Sequence, residues 1–229
     1  MKLYAKIIIG LLLLAANLST LSAQEYHYEI GLHGGIDSYL GEANRSAIFY
    51  SPEPTLGVVF RHNINFRWAL KANLNWGSVS GDTRTFEYTF PFHNEYKFRH
   101  GLVDFGVQGE FNFLPYSDKF LFKNTSRLSP YILLGLGATV APIDGKTLCT
   151  LNLPIGIGLK YKVINRVNLG LEVTMRKQFS DGIDLPELSD PMGLNDSLIK
   201  NKDWVSMLLF SVTWDFGPND RKCNNKFLE

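Results

Sequence analysis

The chain lacks most of what would mark a soluble enzyme, a nucleic-acid binder or a helical membrane protein. Two cysteines in 229 residues exclude a disulfide-built scaffold. A net charge of +1 lacks the basic excess that a nucleic-acid binder carries. No apolar run approaches the ~20 residues that a membrane helix needs. Zinc-ligand spacing and phosphate-binding glycine loops are missing too. Gly77-Ser78-Val79-Ser80-Gly81 has the outline of a nucleophile elbow, but valine stands where the nucleophile would. His27 and His33 share a strand face with Glu29, yet roughly 20 Å of extended chain separates the two imidazoles, too far for one metal. No catalytic residue, cofactor or metal is therefore expected, and an enzyme acting on lipid would need a rim nucleophile that cannot be named.

What the chain does have is leader chemistry, aromatics and alternation. Lys2 and Lys6 precede the apolar stretch Ile7–Ala16, and Ala23 before Gln24 suits signal-peptide cleavage. Residues 1–23 thus read as a secretory leader, 24–216 as one domain and 217–229 as a tail. Removing the leader leaves 21 basic against 22 acidic residues.

Eight segments alternate with period two. They begin at Tyr26–Ile36, Thr55–His62, Trp68–Gly77 and Val103–Phe113. Tyr131–Ala141, Leu151–Val163, Val167–Arg176 and Trp204–Phe216 complete the set. In the third, Trp68, Leu70, Ala72, Leu74 and Trp76 form one apolar stripe opposite Lys71, Asn73 and Asn75. Trp68 and Trp76 lie roughly 26 Å apart along a strand, and Trp204 and Trp214 roughly 33 Å. Tilted by ~40°, these spans give about 20 and 25 Å of height, matching the ~25 Å apolar band between the aromatic girdles of a membrane barrel. An all-β, eight-stranded antiparallel transmembrane β-barrel is the predicted fold, with those four tryptophans as its girdles. A soluble, lipocalin-like barrel would turn the same apolar faces inward. The polar face argues against it, because glycines there are mixed with Glu29, Asp37, Asp104, Glu110, Glu172 and Asp215 against Arg61, Lys71, Lys160, Lys162 and Arg176. Eight strands leave an interior just wide enough for side chains. Those charges should therefore pair as a rigid polar plug, because a lone buried charge is costly.

Short connections at His62–Arg67 and Ile164–Arg166 oppose long ones at Asp37–Pro54, Ser78–Phe98 and Ser180–Asp203. The short side of such a barrel is periplasmic and the long side external, which puts both termini in the periplasm. Leu114–Ser129 is long for a periplasmic turn and Pro142–Thr150 short for an outer loop. Pro154 lacks a ladder donor, so a bulge or fraying near the rim is expected there.

Lys119, Phe120, Phe122, Lys123 and Arg127 make the Leu114–Ser129 turn basic and aromatic. It suits either partner docking or anchoring at the lipid interface. The last outer loop is acidic, with Asp181, Asp184, Glu187, Asp190 and Asp196 against Lys200 and Lys202, and reads as solvated surface. Cys149 falls at the outer end of the sixth segment and Cys223 in the tail, on opposite sides of a bilayer, so no intrachain disulfide is expected. Cys223 is left as a free thiol or as the site of an intermolecular bond.

Several stretches, in order, resemble the PorG-like outer-membrane proteins associated with the type IX secretion system. They are Arg67-Trp68-Ala69-Leu70-Lys71, Glu110-Phe111-Asn112-Phe113-Leu114-Pro115-Tyr116, Leu128-Ser129-Pro130-Tyr131 and Gly156-Ile157-Gly158-Leu159-Lys160-Tyr161-Lys162. Asn168-Leu169-Gly170-Leu171-Glu172, Met175-Arg176-Lys177 and Asp203-Trp204 continue the likeness, while Thr174 departs from it. The resemblance implies an integral component of a Gram-negative outer membrane that contacts outer-membrane lipid and periplasmic ring proteins of PorK and PorN type. Such a component supports protein export without enzymatic activity, and it would present Cys223 and the Phe120/Phe122 turn to the ring. The other function the residues allow is a free-standing OmpX-like surface barrel whose long loops bind external ligands.

Overall fold

Eight antiparallel strands close on themselves in chain order. The computed structural model describes residues 26–40, 51–82, 97–117, 125–143, 146–164, 166–179 and 204–217. The strands are β1 (Tyr28–Leu40), β2 (Glu53–Asn63), β3 (Trp68–Asp82), β4 (Lys97–Asn112), β5 (Leu128–Ile143), β6 (Lys146–Ile164), β7 (Val167–Gln178) and β8 (Trp204–Phe216). Each pairs with its sequence neighbours, and β8 returns to β1. Among the described residues no helix is long and apolar enough to cross a membrane.

The register fixes the barrel's dimensions. Following paired residues once around, from Tyr28 through His62, Leu70, Gly109, Leu134, Ile155, Met175 and Ser206, returns to Ser38, ten residues further along β1. With ~3.3 Å per residue and ~4.8 Å between strands, that offset tilts the strands by about 41°. The tilt sets which side chains meet across the lumen, because level neighbours are not ladder partners.

Faces divide as the alternation requires. Leu32, Trp76 and Ile157 point outward and are 67%, 64% and 63% exposed, and Leu56, Leu134, Leu136 and Leu151 join them. Inward, Glu29, Arg61, Lys71, Asp104, Glu110, Lys160 and Arg176 are all buried. A greasy exterior around an ionic interior is inverted relative to a water-soluble protein, and it is stable only against lipid. The chain is a membrane barrel; the soluble alternative would need the opposite arrangement.

The turn side is tied by short-range polar contacts. Between β2 and β3, Asn65 Oδ1 accepts from the backbone N–H groups of Arg67 and Trp68, both at 2.8 Å, the side-chain turn that asparagine makes readily. At the end of β8, Gly217 has φ +101°, and a Cβ there would sit 2.7 Å from the Tyr28 ring. Glycine lets the chain leave the barrel at this point.

Two expectations are corrected. Pro142–Thr150 is not a loop, since β5 and β6 run on as a hairpin to the pair Ile143↔Lys146. Backbone pairing there continues without the strict alternation of the belt. Pro154 neither bulges nor frays at a rim. It lies buried within β6 opposite Arg176, while β5–β6 pairs stop at Leu134↔Ile155 and resume in the same register at Gly137↔Asn152. The missing N–H is thus absorbed as a skipped rung, and the register shift occurs instead between Lys162 and Ile164.

Candidate functional site

The lumen is where the ionisable residues converge, and the tilt brings together charges far apart in sequence. Nearest the turn side, Lys162 donates to Asp215 Oδ2 at 2.7 Å, and Asn168 donates to the other carboxylate oxygen at 2.6 Å. Tyr116, from the turn after β4, donates to Asn168 at 2.9 Å and lies under the Lys162 ammonium. This phenol stands beside a small polar recess lined by Glu29, Asn63, Asn112, Lys162 and Asp215, among others.

Deeper in, Arg61 bridges two carboxylates. Its Nε donates to Glu110 at 3.0 Å and its Nη1 to Glu29 at 3.4 Å. Lys160 binds the second oxygen of Glu110. Glu29 also accepts from Asn63 at 2.8 Å and from Thr213 at 3.2 Å. Across the lumen, Lys71 reaches both oxygens of Glu172 at 2.6 Å, and the Tyr131 hydroxyl donates to Glu172 at 2.7 Å. Tyr131 is fully buried and lies under the Lys160 ammonium at 4.6 Å. It fits because Gly158 faces it, where a Cβ would fall 2.4 Å from the ring. Higher still, Arg176 pairs with Asp104, which accepts from Asn152 at 2.7 Å and Thr139 at 3.0 Å. His33 is hydrogen-bonded to Asn75, and His27 lies at the turn-side end against Tyr28. Among the described residues no group of His, Cys, Asp and Glu could hold a metal ion.

Such pairs cost several kcal/mol per ion to desolvate and are tolerable only when their remaining lone pairs and protons are also satisfied. Here most are, by asparagine, threonine and tyrosine. The result is a cross-braced ionic plug within the described part of the lumen.

At the outer end, from the level of the last ion pair outward, sits a feature that alternation did not reveal. Tyr39, Val79, Leu102, Ala141, Val205, Met207 and Leu209 pack together inside the outer end of the barrel. Their sequence signal is the loss of alternation in β8, where Val205, Met207 and Leu209 occupy inward positions that carry Ser211, Thr213 and Asp215 lower down.

On the outside, Trp68 and Trp214 lie towards the turn side, with Trp68 packed 4.9 Å from Phe111. Trp76 and Trp204 lie towards the loop side, and Lys177 stands over the Trp204 ring at 5.2 Å. Cys149 is an exposed free thiol on β6. Of the residues read as partner-binding, Lys119, Phe120, Phe122, Lys123 and Cys223 lie outside the described residues, as do the leader and the acidic loop. The base of their turn is described: Ser117 N–H donates to Ser126 at 3.1 Å, and Tyr116 N–H to Phe66 at 3.1 Å, which fastens it to the β2–β3 turn.

No curated protein matches the sequence. Among solved structures, the chain is similar to neisserial surface protein A, at 11% identity and a TM-score of 0.48 over 84% of this chain and 99% of that one. It is also similar to Ail, the attachment invasion locus protein of Yersinia pestis, at 10% identity and a TM-score of 0.47 over 84% and 100%. OprG of Pseudomonas aeruginosa gives 12% and 0.46 over 86% and 100%. A family model described as a domain of unknown function, DUF6089, matches residues 5–225, and the chain belongs to that family.

Proposed function

We propose that this barrel sits in the outer membrane of a Gram-negative bacterium, with both termini in the periplasm, as a PorG-like anchor of a type IX secretion assembly. The observation that carries the reading is the filled lumen. With ion pairs across its middle and an apolar layer at its outer end, the barrel has only its rims, tail and lipid face to work with. The periplasmic rim is the better equipped of these. Its longest turn springs from a base bonded across itself and to the β2–β3 turn and carries Lys119, Phe120, Phe122 and Lys123. The tail with Cys223 leaves the same side after Gly217. A basic, aromatic turn together with a cysteine-bearing tail suits a periplasmic protein partner of PorK or PorN type, held non-covalently or through an intermolecular disulfide. The barrel would hold the ring to the membrane and catalyse nothing.

Co-purification tests this. Deleting 219–229, or combining Cys223→Ser with Phe120→Ala and Phe122→Ala, should release the ring proteins while the barrel stays folded in the outer membrane. Full retention of the ring after both changes would overturn rim docking. Loss of function on trimming the outer loops alone would favour a surface-binding barrel instead.

A further inference from the structure

The lumen holds one carboxylate too many. Among the described residues its five bases are all committed: Arg61 to Glu29 and Glu110, Lys160 to Glu110, Lys71 to Glu172, Lys162 to Asp215 and Arg176 to Asp104. The sixth acid, Asp37, is fully buried and has no ion pair among the described residues; the polar side chain beside its carboxyl is Thr55, whose hydroxyl donates its proton to the Trp76 carbonyl at 3.1 Å. Its surroundings offer no substitute. Across the ladder on β8 stands Met207, and on β2 stands Glu53, itself an acid already engaged by Arg99 at 2.7 Å and Ser78 at 3.3 Å. On β3 the nearest wall is Gly77, whose absent side chain leaves the space Asp37 Oδ2 occupies beside Thr55. On β7, Arg176 is the base whose charge reaches Asp37, but it spends its contact on Asp104 and its Nε is itself unpartnered. Lower on β1, His33 is turned to Asn75. Tyr39, two residues further out on β1, and Val79 on β3 belong to the apolar cluster that closes this end, while Met207 stands beside Asp37 and Leu209 lower on the same wall.

An ionised carboxylate cannot be sealed under such a layer without a counter-charge; a buried group in that position gives up its charge. We propose that Asp37 is a buried proton-binding site, carried in the folded barrel as the neutral acid. Folding then takes up one proton from solution at neutral pH, since an exposed aspartate in the unfolded chain has already lost its own. The apolar layer closes the outer end only over the neutral form. Ionising Asp37 draws water past Tyr39 and Val79 and loosens that end.

The sign of the linkage follows. The native state holds more protons than the unfolded one, so this site makes stability fall as pH rises above the ordinary aspartate range, by up to tenfold in the folding equilibrium constant per pH unit. Two measurements on the full-length barrel refolded in detergent test it. Infrared difference spectra at neutral pH, wild type minus Asp37→Asn, should show the carbonyl stretch of one protonated carboxylic acid. Asp37→Asn should also fold, melt no lower than wild type and lose that share of the pH slope. Asp37→Leu, which matches the apolar neighbours, serves equally if the amide does not fold. The proposal is overturned if no acid band is lost in a folded variant, or if both neutral variants fail to fold. It is equally overturned if wild type is selectively stabilised by sodium or calcium ions, which would make Asp37 an ionised cation ligand.

Discussion

Replacing Lys71 by methionine tests whether the lumen is a dry ionic plug. Lys71 and Glu172 are both buried, with the ammonium 2.6 Å from each carboxylate oxygen. At an effective dielectric constant of ~20 their attraction is about 6 kcal/mol, set against several kcal/mol of desolvation for each ion. The pair is therefore worth little net, whereas breaking it is expensive. Lys71→Met leaves Glu172 buried without a counter-charge, with only the Tyr131 hydroxyl as partner, and should cost about 3–5 kcal/mol. Glu172→Gln should cost a similar amount by stranding the ammonium. The double variant strands neither and should cost only about 1 kcal/mol, for a coupling energy of at least about 5 kcal/mol against singles of about 3 or more each. Reversible urea unfolding of the detergent- or liposome-folded barrel, followed by tryptophan fluorescence, gives all four free energies. Single-variant losses under about 1 kcal/mol, additive in the double, are the values of solvated pairs. They would mean that water fills the lumen and the plug does not exist.

Other outcomes follow from the same geometry. Gly158→Val places its side chain into the Tyr131 ring and should destabilise by about 1–3 kcal/mol through overpacking, measurable by the same titration. Arginine at the outward position of Leu32 or Ile157 should cost about 2–4 kcal/mol near the bilayer midplane, against about 0–1 for Trp76→Arg at the belt edge. In planar bilayers the wild-type barrel should show no sustained ionic current, because the ion pairs and the apolar layer lie across the path. A steady porin-like conductance would contradict that.

Much of the architecture is legible in the sequence because lipid imposes a strict rule. Where a strand crosses the belt, one face must be apolar and the other polar, and β7 begins where the alternation begins. Outside the belt the rule lapses. The outer parts of β3 and β4, Ser78–Asp82 and Lys97–Leu102, are paired strand without alternation, and so read as loop. The lumen charges are equally legible as a set, since their side of the strand is fixed by parity. Their pairing is not. Arg61 with Glu110, Lys71 with Glu172 and Arg176 with Asp104 join strands whose relative height depends on the ten-residue stagger, and no single strand encodes that offset. Tyr131 was readable only as the start of a strand, because its role depends on the space left by Gly158 on the neighbouring one. The isolation of Asp37 likewise appears only when every base has been assigned.

The central claim is that the apolar face meets lipid and the charges lie within, and the tryptophans report on it directly. Trp68, Trp76 and Trp214 are exposed on the outer face, so in vesicles their fluorescence should be quenched strongly by brominated acyl chains and weakly by aqueous iodide. Strong quenching by iodide with no response to brominated lipid would contradict the account.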